Sequence, residues 1–375
     1  SDVYKRQTRD GADNASIGGG DTSEGSHQAD TTMVVQISAD RSYINLVSIP
    51  RDSLVDAPSC ETSKGTISAQ YNVMFNSIFA NGYTTGDDLA SAASCTVNAV
   101  NSLTGLNIQN FIVVDFNGLK DMINAIGGVK ICIPSDVKDP YTGLDLTKGL
   151  HQLDGLAATQ YARTRYSLGD GSDVQRTTRQ QYLIKQLLQQ ALDKNIFTHT
   201  SELYQLAKSA LKSLNISQGL ADTATLAGLA MSLKNLNVSH MYTRTLPVVQ
   251  APSDPHRVVW DSSADELWTK MREGKPFVEQ PAQDSSSSDS ANTNNDSSNT
   301  SDQAQDSTPS NQDNAQATQQ NTRVADGVEK TADGKYIDTA TGGEIDTETG
   351  AVKDINTGQV LGISEAYLNN VVCPV

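Results

Sequence analysis

The plainest hydrophobic pattern lies at residues 32–38 and 43–49, two short runs rich in valine and isoleucine joined by the turn-prone Ala39-Asp40-Arg41. Runs of this kind, bounded by turn residues, predict neighbouring strands. A helical pattern then runs from Asp87 or Asp88 to Thr104, with Gly105 as its stop signal. The apolar run 111–116 reads as a strand, a short helix follows from near Asn117 to Gly127-Gly128, and 129–133 reads as the next strand. Strands alternating with helices predict a layered α/β domain. From Asp173 the periodicity is helical again, with Asp173 as N-cap and Leu183, Leu187 and Leu188 on the apolar face. Traced back by threes and fours, that stripe meets Gln180, Arg176 and Asp173. An inward face that turns polar is costly unless its groups are paired or bind something.

Residues 279–320 are almost entirely Ser, Asn, Asp, Gln, Thr and Ala, a composition that buries too little apolar surface to offset chain entropy. They read as a disordered linker between a main domain at 29–278 and a C-terminal tail at 321–375, while 1–28 reads as a truncated or aberrant N-terminal segment. The tail repeats Asp-x-x-Thr-Gly at Asp338, Asp346 and Asp354, a period of eight residues. Asp bonds the backbone a few residues on and Gly supplies positive φ, so each unit is a turn and the tail is expected to be a β-meander. Spaced single carboxylates make a poor calcium cage, which disfavours a metal site there.

Composition narrows the partners. A formal net charge of -16 repels polyanions, so nucleic acid is excluded and any phosphate-bearing partner needs a local basic cluster. Four cysteines with no CxxC pair argue against zinc and are compatible with two disulfides in an oxidising compartment, although four free thiols remain open and the pairing is not fixed by count. Cys60, in a Pro-Ser-Cys loop, and Cys95, on a helix able to pack beneath it, are the expected pair; a bond from Cys132 to Cys373 across the linker is left open.

The local basic cluster exists. Arg163, Arg165, Arg176 and Arg179 fall within seventeen residues of an acidic chain. If 161–166 is extended, Arg163 and Arg165 share one face. One arginine would be read as half of an ordinary ion pair with Asp115, Asp121 or Asp173; three converging on an inward glutamine read better as a phosphate site, because the guanidinium fork matches phosphate oxygens. Arg179, one helical step from Arg176, is expected to lie off that face. Ser48-Ile49-Pro50-Arg51-Asp52, at the end of a strand, can add Arg51, with a surface ion pair as the plain alternative. Asp30, just before the first strand, is a candidate magnesium ligand, since magnesium takes one or two carboxylates plus substrate oxygens.

These residues resemble the LytR-CpsA-Psr family over about 29–260: Asp30-Thr31-Thr32-Met33, Ser48 to Asp52, Asn76 to Gly82, Val114-Asp115-Phe116, Ile126 to Val129, Gly149 to Gly155 and Tyr161 to Gln181. The resemblance implies an α/β/α sandwich around a central mixed sheet, with an apolar pocket for a polyprenyl tail and a magnesium-assisted pyrophosphate site. It makes Asp30 a metal-site carboxylate, Arg9, Arg51, Arg163, Arg165 and Arg176 pyrophosphate ligands, and Gln180 their neighbour. The cysteines at 60 and 95 point to an actinobacterial branch. Gln7 stands where the family has an acidic residue, and the first seven residues look foreign to the domain.

The implied activity is phosphotransfer of a glycan polymer from a polyprenyl-pyrophosphate carrier to peptidoglycan, with teichoic acid or another polysaccharide as polymer and Asp173 as candidate base. The implied place is the extracellular face of the cytoplasmic membrane, held by an N-terminal transmembrane helix absent from this sequence. The rival readings are a hydrolase that sends water to the same phosphorus and a regulatory protein that binds polyprenyl phosphates without turning them over.

Overall fold

The structure, a computed structural model, describes residues 2–6, 29–164, 173–193, 200–278 and 321–374. A six-stranded sheet lies at the centre. It contains β1 (Asp2–Arg6), β2 (Thr32–Ile37) and β3 (Ile44–Ile49), flanked by Asn110–Val113 and Asn215–Ile216 beside β1 and by Met241–Thr245 beside β3. β2 is antiparallel to both β1 and β3, whereas β1 with Asn110–Val113 and β3 with Met241–Thr245 run parallel, so the sheet is mixed. Arg41, at φ 63°, closes the β2–β3 hairpin in the left-handed region.

Alternation along the strands assigns the two faces. Val34, Val47 and Ile49 pack into one core, with Phe75 and Ile78 of α1 (Phe75–Gly86), Cys95 and Ala99 of α2 (Leu89–Thr104), and Trp268 of the helix Ala264–Arg272. Met33, Leu46 and Met241 enter the opposite core. There they meet Ile184 and Leu188 of α5 (Asp173–Asp193) and Leu229 of α7 (Thr223–Ser232), once α3 (Phe116–Ala125), α4 (Gly155–Arg163) and α6 (Thr200–Ser213) have been laid down. Helices on both faces of a mixed sheet make the α/β/α sandwich.

Local signals set the helix ends. Asp88 caps α2 by accepting the Ser91 N–H, and Gly105, at φ 68°, ends it. Asp115 caps α3 through the Gly118 N–H, which ends the preceding strand at Val113 and makes Phe116 a helical residue.

Two expectations are corrected. Residues 161–163 are the last turn of α4, not a strand, because the Asp154 carboxylate accepts the Ala157 N–H and starts a helix that the apolar Ala158, Tyr161 and Ala162 anchor in the core. The alternation that put Arg163 and Arg165 on one face therefore does not apply, and Arg165 lies outside the described residues. β1 is also not foreign to the domain: Asp2–Arg6 pairs with β2 on one side and Asn110–Val113 on the other, in the middle of the sheet. The linker 279–320 and Arg9 lie outside the described residues.

The tail is a six-stranded antiparallel meander from Thr322 to Ile363. Its three repeats fold alike. Asp338, Asp346 and Asp354 accept the N–H of Thr341, Thr349 and Thr357 through their carboxylates, and their carbonyls accept from Gly342, Gly350 and Gly358 at φ 71°, 72° and 70°. The meander is joined to the sandwich. Val328, Ile345, Val352, Tyr367 and Leu368 share one core with Ile131, Tyr161, Tyr182 and Leu183, and Cys132 is bonded to Cys373. The second disulfide joins Cys60 to Cys95, as the sequence pairs them.

Candidate functional site

The site sits where β2 begins and β3 ends. These strands are antiparallel with Thr32 opposite Ile49, so the chain before β2 and the chain after β3 leave the sheet side by side. This puts Asp30 beside Arg51, whose Nη1 is 3.0 Å from Asp30 Oδ1. Both are largely buried. Arg51 Nε also lies 3.4 Å from Asp52 Oδ2, and Asp52 Oδ1 lies 3.1 Å from Arg257 Nη1. Arg257 has no local sequence signal. It arrives because strand Asp254–Trp260 passes Asp52, with the Val258 N–H donating to the Asp52 carbonyl at 3.4 Å.

α5 closes the site from the other side. Arg176 Nη2 donates to the Asp30 carbonyl at 2.7 Å, and the Thr31 hydroxyl donates to Gln180 Oε1 at 2.6 Å. Gln180 Nε2 reaches back to the Ala162 carbonyl at 2.9 Å, which ties α5 to the last turn of α4. Asp30, Arg51, Arg176 and Gln180 are thus brought together. The Arg163 guanidinium lies 4.5 Å above the Phe116 ring, a cation–π contact at the start of α3. Asp173 begins α5, and its side chain lies outside the described residues.

The single polar stripe expected on α5 is wider than that. Gln175 through Leu183 are all buried, because the sheet, α4 and the meander cover the helix from different sides. Arg179, expected off the inward face, is 4% exposed and donates Nη2 to the Thr164 carbonyl. It also faces Tyr161, whose hydroxyl is pushed up to about 12 by burial, with the Arg179 charge pulling the other way. Gln181 donates to Ser48 Oγ at 2.7 Å and to the Arg244 carbonyl at 3.0 Å, so the end of β3 that presents Arg51 is also pinned to α5.

A guanidinium keeps its charge in a buried setting, and its planar fork matches phosphate oxygens. A magnesium ion could draw on one carboxylate here, Asp30, whose Oδ1 is already engaged by Arg51. Among the described residues no group of three or more His, Cys, Asp or Glu could hold a metal. The donor set suits magnesium only in the mode where substrate phosphates supply most ligands. No helix among the described residues is long and apolar enough to cross a membrane.

Known proteins resemble this chain in sequence and in fold. The cell wall biosynthesis protein LcpA of Corynebacterium glutamicum is 27% identical over 278 residues, 72% of this chain and 53% of that protein. The polyisoprenyl-teichoic acid–peptidoglycan teichoic acid transferase TagU of Enterococcus faecalis is 26% identical over 50% of this chain and 54% of its own length. The chain therefore spans about half the length of these relatives. In the crystal structure of Bacillus subtilis TagV the same fold recurs, with a TM-score of 0.53 and 18% identity over 73% of this chain and 96% of that one. The LytR_cpsA_psr family model matches residues 2–273, from β1 past the site and the strand that carries Arg257 to the end of the helix Ala264–Arg272, and the chain belongs to that family.

Proposed function

We propose that the chain transfers a glycan polymer from a polyprenyl-pyrophosphate carrier to peptidoglycan. The observation that carries this reading is the convergence of Arg51 and Arg176 on Asp30 and of Gln180 on the adjoining Thr31 at one end of the sheet, in a protein whose net charge of -16 would otherwise repel a pyrophosphate. The names of the relatives, a cell wall biosynthesis protein and a teichoic acid transferase, support the same class of donor and acceptor.

In the proposed reaction a sugar hydroxyl of peptidoglycan attacks the polymer-bearing phosphorus of the carrier. A phosphodiester forms and polyprenyl phosphate leaves. Arg51 and Arg176 hold the diphosphate oxygens and stabilise the charge that moves to the leaving phosphate, and Gln180 fixes their geometry. Asp30 would hold magnesium, which when bound adds positive charge against the phosphates. The proton of the attacking hydroxyl is assigned to Asp173, at the start of α5. The site would face the cell exterior, where disulfides persist, beside a membrane that holds the carrier.

The test supplies a synthetic carrier-linked glycan and peptidoglycan fragments to the full chain. Release of polyprenyl phosphate coupled to acceptor labelling supports transfer. Release with no labelled acceptor makes the chain a hydrolase, and no release from a carrier that binds makes it a binding protein.

A further inference from the structure

The meander contributes charge as well as apolar surface to α5. Lys185 Nζ lies 2.9 Å from Glu365 Oε1, and both side chains are largely buried. One turn earlier on the same helix, Gln181 bonds Ser48 Oγ and the Arg244 carbonyl. The Arg244 side chain is half-buried; desolvation disfavours its charge and the Asp338 carboxylate of the meander favours it. Asp338 is held in place by the Ser364 hydroxyl at 2.7 Å and by Thr341. Two acidic groups of the meander therefore answer a buried and a half-buried basic group that flank the Gln181 contact. Tyr182, between them, accepts the Cys132 N–H at 3.4 Å, and Cys132 is the residue bonded to Cys373 at the far end of the meander.

We propose that residues 321–374 are the positioning element of α5, with Lys185–Glu365 as the positioning pair and Cys132–Cys373 as the tether, so that docking of the meander sets where Arg176 and Gln180 meet Asp30 and Thr31. The link to ligand binding rests on the function proposed above; the link to α5 does not. Physically, a lysine taken out of water on a helix needs its counter-charge, and a helix buried on every side has its rotation and height fixed by all its neighbours at once. Removing the counter-charge leaves Lys185 to seek water, and the helix moves with it. Glu365 carries no part of the phosphate site, so an effect there travels through α5.

The experiment uses the full 375-residue chain as wild type, as Glu365→Gln, and as the double variant Cys132→Ser with Cys373→Ser, which leaves no odd thiol. Two quantities are read at a temperature where all three are folded by near-ultraviolet circular dichroism. The first is amide hydrogen exchange over residues 174–183, with the α1–α2 region as internal reference. The second is the Kd for geranyl pyrophosphate. The expected result is exchange about tenfold faster over 174–183 in both variants, with the reference unchanged, and a Kd weakened about tenfold. Unchanged exchange at 174–183 in both variants overturns the proposal. Faster exchange with an unchanged Kd overturns it too, because α5 would then be ordered by the meander without setting the site. If the wild type itself fails to bind geranyl pyrophosphate, the phosphate-site reading falls, and faster or unchanged exchange alone decides whether the meander positions α5.

Discussion

Arg51 and Asp30 are 21 residues apart in sequence and 3.0 Å apart in space, and the register of the β2–β3 hairpin continues to bring them face to face beyond its last pair. The pair is coupled to α5 because the same Asp30 gives its carbonyl to Arg176. A change at Asp30 is therefore felt by both guanidinium groups.

Asp30→Asn keeps the shape and removes the charge that Arg51 faces. Loss of a charged hydrogen bond in a largely buried setting costs about 1.5–3 kcal/mol. The control is Asp265→Asn, whose pair with Arg272 has the aspartate mostly exposed, and which should change stability by less than about 1 kcal/mol. Urea unfolding of both variants measures this. Equal, small effects would show that the Asp30–Arg51 contact is as solvated as the control.

Arg176→Lys keeps the positive charge and loses the planar fork that holds the Asp30 carbonyl. Turnover of a polyprenyl-pyrophosphate substrate should drop at least about tenfold, the effect of 1.4 kcal/mol in a transition state. Arg179→Lys is not a neutral comparison, since Arg179 is as buried as Arg176 and holds the Thr164 carbonyl beside Tyr161. It should lower the melting temperature at least as much as Arg176→Lys does. Full turnover by Arg176→Lys would make the cluster a structural ion network.

The β2–β3 hairpin, α2 and the eight-residue turn repeat were legible because each is written locally: alternation for the strands, Asp88 and Gly105 at the ends of α2, Asp and Gly at fixed offsets in the turns. Asp30, Arg51, Arg176 and Gln180 were legible as a group through resemblance and an inward helix face. What was missed depends on contacts between distant segments. Residues 161–163 look extended alone and become helical through the Asp154 cap and the core beneath Tyr161. Arg257 enters only because its strand passes Asp52, and the burial of Arg179 and Lys185 comes from α4 and from a meander almost two hundred residues further on.

Acid should weaken the fold through its turn and cap aspartates. Asp40 is lowered to about 2 from the usual 3.8 because it accepts the Ser42 hydroxyl and N–H, and the Asp88 cap is lowered by Ser63 and the Ser91 N–H. A carboxyl whose folded pKa lies below its unfolded value stabilises above the unfolded value and loses that contribution as pH falls through the folded one. For Asp40 the loss runs between pH 3.8 and about 2. Asp40→Asn, followed by urea midpoints from pH 5 down to 2, should flatten the wild-type decline in that window. A variant curve parallel to wild type would mean the turn carries no titrating contribution.

A chain ended at residue 278 loses the whole meander. From composition alone the tail after the linker looks dispensable, since a Ser- and Asn-rich segment at 279–320 offers nothing to pack. The structure gives the opposite expectation. Ending the chain there uncovers the face formed by Ile131, Tyr161, Tyr182 and Leu183, leaves Cys132 as a free thiol, and takes Glu365 from Lys185. Fully exposing a single large apolar side chain costs about 1.5–3 kcal/mol. Breaking a buried ion pair from one side costs roughly 3–5 kcal/mol. Several such losses approach the whole stability of an ordinary domain, about 5–15 kcal/mol. The shortened chain should therefore lose its cooperative melting transition or aggregate on expression. Replacing only 279–320 with a flexible linker of equal length, in contrast, should leave the transition within a few degrees of the full chain. A shortened chain that melts like the full one would show that the meander covers a core able to stand alone.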